Sequence, residues 1–314
     1  MSLILIDKPE GPTSHAVVST IKRVLGVDKV GHLGTLDPFA SGLLPVLIGN
    51  TARLSDEAMD GEKGYLFTIG LGKETDTLDP TGRVIAEAEL PNNLSRELIE
   101  NALKSFTGQI EQVPPVYSAL KMNGMPLYEH MRASGKLPVD IESKRRTVTI
   151  HSINLVDFTS DSLVLRVVCS KGTYVRSLAR DIAKALGSVG TCIQLRREWV
   201  EPWHVDTALK VSLDANGRIA PPEAAILHEA RRPPWSVAPK LRRAELASAY
   251  LEKFISGNSI ELSAEALLWT DNSGLNGQSL AIEKIIVSCG EVMFLCEFES
   301  LAEKHRLQPR KRIV

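Results

Sequence analysis

Several features are missing from this sequence, and each absence removes a class of function. The four cysteines, Cys169, Cys192, Cys289 and Cys296, are scattered and lack the paired C-x2-C spacing of a zinc site. They read as buried thiols, and neither a metal nor any other cofactor is expected. No stretch approaches the roughly 18 apolar residues of a membrane span. The apolar run Leu3–Ile6 is ended by Asp7 and Lys8, too short for the core of an export signal. No membrane partner is expected, and a cytoplasmic location is. There is no charge excess either: 37 Lys and Arg against 38 Asp and Glu give a net charge of −1, so no overall basic field announces nucleic acid. No dinucleotide-type glycine loop follows a strand, which argues against a methyltransferase. No internal repeat is present.

What is there begins with size. A chain of 314 residues that is 43% hydrophobic folds, and its length suits one large domain plus a small one. Local basic runs stand at Lys144-Arg145-Arg146, Arg196-Arg197, Lys240 to Arg243 and Lys304 to Arg312. Each reads either as a solvated face or as an RNA contact.

Ser14 is placed to cap a helix with the apolar face Val17, Val18, Ile21, Val24 and Leu25. Helices are predicted over Arg96–Phe106 and Arg176–Leu186, the second stopped by Gly187. Strands are predicted over Tyr65–Leu71, Thr147–Asp157 and Leu163–Cys169, the last two paired through the turn at Thr159–Asp161. Leu43–Ile48 contains Pro45 and reads as an edge strand or strand entry.

Strands and helices do not strictly alternate, so the expected class is α+β: a sheet flanked by helices, not a doubly wound fold. The proline-bearing stretch 113–146 looks like an inserted element. Arg231-Arg232-Pro233-Pro234 marks a break, giving a domain over residues 1–230 and a small β-rich one over 235–314. In the second, a helix is expected at about Arg243 to Ile255, before strands near Ile260, Leu267, Ile282–Val287 and Met293–Phe298.

The most informative stretch runs Gly31-His32-Leu33-Gly34-Thr35-Leu36-Asp37-Pro38, then Ala40-Ser41-Gly42-Leu43-Leu44-Pro45-Val46. Glycines around a His and an Asp allow sharp turns or close approach to a ligand. Asp37-Pro38 alone reads equally as a helix start, with Asp as cap and Pro first.

The stretch resembles the catalytic motif of the TruB family of tRNA pseudouridine-55 synthases, matching it at about seven fixed positions. It departs from the commoner pattern at Leu33, where Thr is usual. Further blocks resemble the family in order: Leu5-Ile6-Asp7-Lys8-Pro9, Lys63-Gly64-Tyr65, Thr75-Asp76-Thr77-Leu78-Asp79, Pro114 to Lys121, Cys169 to Leu178, and Leu195-Arg196-Arg197. The likeness is most specific over residues 3–200. The tail resembles, more loosely, a PUA-type RNA-binding module.

The resemblance implies a pseudouridine-synthase domain with a mixed, largely antiparallel sheet, followed by the PUA-like domain. The implied reaction breaks the bond from C1′ to N1 of uridine, turns the base and joins C5 to C1′. No electrons are exchanged. A carboxylate near C1′ and C2′ serves it as nucleophile or as base, and the family position for it is Asp37. The family arginine beside it falls on Arg176, where its charge favours the ionised carboxyl. Tyr65 falls on the tyrosine that stacks on the flipped base; alone, it reads more often as core. Tyr174 and Leu195 fall on further pocket residues, and His32 on a histidine supporting the flipped RNA. Lys8 and Pro9 are expected to buttress the loop, with Lys8 a phosphate contact as well.

The expected partner is tRNA through its T-stem-loop, with no guide RNA, and the expected state is a monomer. A catalytically silent RNA-binding protein or chaperone of the same fold is the rival. If the resemblance holds, activity survives a strong chelator and needs no added nucleotide. Activity lost on chelation and restored by one specific metal would overturn this chemistry.

Overall fold

The computed structural model describes residues 1–58, 61–118, 121–122, 125–126, 141–270, 282–300 and 304–314. Its main sheet is built from β1 (Ser2–Lys8), β2 (Val30–His32), β3 (Ser41–Ile48), β4 (Lys63–Leu71), β5 (Gly108–Gln112), β6 (Arg146–Phe158), β7 (Ser162–Cys169), β8 (Gly190–Val200), β9 (Trp203–His204) and β10 (Leu209–Lys210). The order is β10-β1-β3-β8-β4-β7-β6-β5, with β2 on β3 and β9 on β8. Only β1–β10 and β3–β8 run parallel, so the sheet is mixed and largely antiparallel.

Three helices matter for the site. α1 (Ser14–Leu25) buries Val17, Val18 and Ile21 and ends on Gly26 in the left-handed conformation, as glycine after a helix permits. Its cap is Thr13, whose hydroxyl accepts from the Ala16 amide, not Ser14. α2 (Arg96–Leu103) continues through a 3-10 turn to Phe106. α3 (Val175–Ala185) lays Leu178, Ala179, Ile182 and Ala183 into the core. The hairpin β6–β7 turns where the sequence placed it, with the Thr159 hydroxyl donating to Asp161.

Strands β1 and β3 are apolar at almost every position because both faces are covered, as in buried sheets generally. On one face Ile4, Ile6, Leu44 and Val46 join Val17 and Ile21 of α1. On the other, Leu3, Leu5, Leu43 and Leu47 join Ile286, Met293, Leu295 and Ile313 of the C-terminal part. β3 is therefore interior, not an edge. Pro45 gives up only a donor: its carbonyl still accepts from the Leu33 amide at 2.9 Å.

The C-terminal part is a second sheet of β11 (Arg242–Leu246), β12 (Ile260–Ser263), β13 (Leu267–Trp269), β14 (Glu283–Cys289), β15 (Val292–Ser300) and β16 (Lys304–Arg312), in the order β12-β16-β15-β14-β11-β13. The expected helix from Arg243 is a correction: Arg242–Leu246 is a strand paired in parallel with β14, and the helix covers only Leu251–Ile255. Ala244 and Leu246 are buried while Glu245 is exposed, a period of two that helix-forming residues around it disguise. The inserted element predicted over 113–146 lies largely outside the described residues. Among the described residues no helix is long and apolar enough to cross a membrane.

The shared apolar layer predicts that the two sheets unfold together. Leu295→Ala, at a fully buried site of that layer, should destabilise by about 2–5 kcal/mol. Its thermal melt followed by far- and near-ultraviolet circular dichroism should stay one coincident transition. Two separated transitions would refute the coupling.

Candidate active site

Asp37 sits on the loop between β2 and β3, and the loop is anchored on both sides of it. The Ser14 hydroxyl donates to the Leu36 carbonyl and accepts from the Leu36 amide, both at 2.9 Å. On the other side, the Pro38 carbonyl accepts from the Gly11 amide at 2.8 Å and from Lys8 Nζ at 3.3 Å. Lys8 is fully buried, and its ammonium also donates to the Pro9 and Pro12 carbonyls. Burial pushes its pKa down to about 8. Its three donors thus meet backbone carbonyls on either side of the loop.

The Asp37 carboxylate faces Arg176 at the start of α3, with Nε 2.9 Å from Oδ2. The same guanidinium holds Asp79 at 3.2 Å and donates to the carbonyls of Thr77 and Tyr117. Arg176 and Asp79 are buried, whereas the Asp37 side chain keeps 35% of its exposure through the pocket mouth. Asp79 is fixed in turn by the Thr77 and Thr81 hydroxyls and the Thr81 amide. Burial pushes the Asp37 carboxyl above its ordinary range. Arg176 pulls it back, and Asp79 adds to the push as a like charge.

An open cleft of about 300 Å³ lies over this ion pair, lined by Asp37, Tyr65, Tyr174, Arg176 and Leu195 among others. Five of the seven residues singled out in the sequence therefore meet in one place. His32, on β2, stands outside this lining, as does Lys8. Tyr65 and Leu195 come from neighbouring strands β4 and β8, and Tyr174 precedes α3. The Tyr174 amide donates to the Gln112 side chain, which donates back to the Tyr174 carbonyl.

Three residues of the cleft region escaped the sequence reading. Asp79 stood in a recognised block without a role. Arg146, read as part of a basic run, stacks its guanidinium 4.4 Å from the Tyr174 ring and donates to the Gly172 carbonyl. Arg197, read likewise, is buried against the Asp37 loop; strand alternation with Leu195 was the signal that could have found it. Among the described residues no three His, Cys, Asp or Glu gather as a metal site.

Residues 22–175 match the sequence profile described as TruB family pseudouridylate synthase (N terminal domain). The chain is 46% identical over 233 residues to a tRNA pseudouridine synthase B of Aromatoleum aromaticum, covering 72% of this chain and 74% of that one. The chain belongs to the TruB family. A second family member, tRNA pseudouridine synthase B of an Azoarcus species, is 42% identical over 235 residues, covering 72% and 76% of the two chains. The TruB fold extends to a chain from the crystal structure of a Cbf5-Nop10-Gar1 complex. It superposes with a TM-score of 0.67 at 22% identity, covering 100% of this chain and 85% of that one.

The geometry makes Asp37 sensitive to its two neighbours in opposite senses. Replacing Arg176 by Met removes a cation that favours the carboxylate, so the pH at which Asp37 titrates should rise. Replacing Asp79 by Asn removes a like charge, so that pH should fall. Carbon NMR of the Asp37 carboxyl reads both, and shifts of the same sign would contradict the arrangement.

Proposed function

We propose that this protein isomerises uridine to pseudouridine in tRNA, at uridine-55 of the T-loop. The observation that carries the reading is one partly open carboxylate, oriented by a buried arginine, beneath a tyrosine and a leucine from adjacent strands. That arrangement suits a flipped nucleotide: the aromatic ring stacks on the base and the carboxylate meets the sugar. The names of the two bacterial relatives support tRNA as the substrate.

In the proposed reaction the bond from C1′ to N1 breaks, the uracil turns, and C5 bonds to C1′. One proton leaves C5 and N1 gains one, so atoms and electrons balance without a redox partner. Asp37 acts either by attack at C1′ or by removing the proton at C2′. Arg176 keeps it ionised, Tyr65 stacks on the base and assists proton movement at C5, and Tyr174 and Leu195 bound the base pocket. His32 supports the flipped RNA from outside the pocket lining.

The protein is proposed to act in the cytoplasm as a monomer and without a guide RNA. Residues 1–230 form the catalytic domain, with 113–146 as an RNA-contacting insert. Residues 235–314 form a PUA-like domain that adds RNA affinity.

The test uses tRNA carrying tritium at C5 of uridine, since forming the new bond expels that hydrogen. Wild type should release tritium and leave pseudouridine. Asp37→Asn should bind tRNA nearly as well and release less than about one-hundredth as fast, as expected when a nucleophile or base is lost. Faster release would remove Asp37 from the chemistry. Tyr65→Phe should keep tRNA binding, whereas Tyr65→Ala should lose about 1–3 kcal/mol of stacking. Equal behaviour of the two would take Tyr65 out of the site.

A further inference from the structure

We propose that Arg197 is the positioning residue that ties Tyr65 to the loop carrying Asp37, so that platform and carboxylate hold one fixed separation. The inference rests on the roles given to those two residues above. Arg197 lies on β8 with Tyr65 of β4 as its register partner on one side and Gly42 of β3 on the other. Although it carries a guanidinium, it is only 1% exposed. Its Nε donates to the Leu43 carbonyl at 2.8 Å and its Nη2 to the Gly34 carbonyl at 2.9 Å. These two acceptors stand on either side of Asp37 in the chain. Both side chains line the cleft, where the guanidinium interacts with the Tyr65 hydroxyl.

Two glycines of the motif are shaped around this side chain and its backbone. A Cβ at Gly34 would lie 3.0 Å from Arg197 Nη1, and one at Gly42 would lie 2.2 Å from the Arg197 carbonyl oxygen. The contrast with the other buried arginine is instructive. Arg176 is matched by two carboxylates; Arg197 bonds two carbonyls. A buried cation without a carboxylate is costly to the fold, and what it supplies here is two directed bonds that flank Asp37, from a guanidinium set in the same cleft as Tyr65. Its neighbour Arg196 points the other way, to Asp7 at 2.8 Å, so the two halves of the Arg-Arg pair have different work.

The consequence falls on Tyr65. Burial pushes the phenol up, and Arg197 pulls it down. Losing the guanidinium should therefore let the ring drift and raise the pH at which the phenol ionises.

The experiment measures tRNA kinetics for Arg197→Lys, Tyr65→Phe and the double variant, after thermal melts confirm that each folds. It also follows Tyr65 ring-carbon titration by NMR in wild type and in Arg197→Met. Tritium release by wild type and its loss in Asp37→Asn test the underlying reaction separately. Arg197→Lys should lower kcat by roughly tenfold or more with the KM for tRNA little changed, the pattern of an interaction made only in the transition state. In the Tyr65→Phe background the same change should cost much less, because the oxygen it holds is gone. Should Tyr65→Phe be too slow to measure, or Arg197→Met fail to fold, the Tyr65 titration decides, in Arg197→Lys if necessary: it should differ from wild type. An equal loss in both backgrounds, an unchanged titration, or a raised KM at constant kcat would each overturn the proposal.

Discussion

The site depends on one cation shared by two carboxylates. Arg176 must be buried to reach the floor of the cleft, and a buried guanidinium is tolerable only where its donors are matched. It finds Asp37, Asp79 and two carbonyls. Those partners come from three distant stretches of chain, so satisfying one charge draws the motif loop, the 75–82 turn and Tyr117 to α3. The turn itself takes an unusual shape to comply: Leu78, between the two residues that bond Arg176, stands at a φ of +60°, where a residue with a Cβ is uncommon. Asp37 and Asp79 are not equivalent. Asp79 is closed off and bonded on all sides, whereas Asp37 keeps an open edge toward the cleft. The same cation therefore holds one carboxylate inside the fold and leaves the other facing the cleft.

The second constraint is the double-sided burial of β1 and β3. A strand that is apolar on both sides needs a cover on each face. Here α1 covers one face and the C-terminal sheet covers the other. Leu33 and Leu43, which flank the Asp37 loop, lie in the layer that includes C-terminal residues. Polar ties reinforce it: Arg53 donates to the Arg312 carbonyl, Lys311 to the Arg53 carbonyl, and Lys284 pairs with the well-buried Glu57. The C-terminal sheet is thus part of the foundation of the loop, whatever else it touches.

Local patterns were legible, and non-local satisfaction was not. The periodicity of α1, α2 and α3, the alternation of β4 and the hairpin β6–β7 all follow from residues close in sequence. Pro45 misled because its strand is flanked by β1 and β8, both distant from it in the chain. Arg242–Leu246 misled because its partner strand begins some forty residues later, beyond any local signal. At the site, the resemblance supplied the residues proposed for the chemistry, while Asp79 and Arg197, which bond Arg176 and the Asp37 loop, had to be seen. A positioning residue carries no motif of its own; its identity lies in which carbonyl or carboxylate it reaches across the fold. Lys8 shows the same limit in reverse, since nothing in Asp-Lys-Pro says that three carbonyls will surround the ammonium.

Charge runs are a related case, and they bear on how a nearly neutral chain can meet a polyanion. Within the basic runs, Arg145 pairs with Glu111 and Glu142, Arg196 with Asp7, Lys240 with Glu201, Arg242 with Glu283, Lys304 with Glu261, Arg310 with Glu297 and Lys311 with Asp56. Counting cations in the sequence therefore overstates the free positive charge. Yet pairs such as Lys304–Glu261 are exposed on both sides, and such a pair contributes only about 0–1 kcal/mol. Exchanging a carboxylate for a backbone phosphate there costs the fold little, because each offers one negative charge and two free oxygens. The carboxylates left behind still repel the polyanion, which works against tight, indiscriminate binding. Arg146 differs: its guanidinium lies over Tyr174 at the cleft, bonded to a backbone carbonyl rather than a carboxylate. A cation so placed attracts without first breaking an ion pair. The distribution therefore favours an RNA whose strongest phosphate contact falls at the mouth of the cleft, with weaker and salt-sensitive contacts elsewhere.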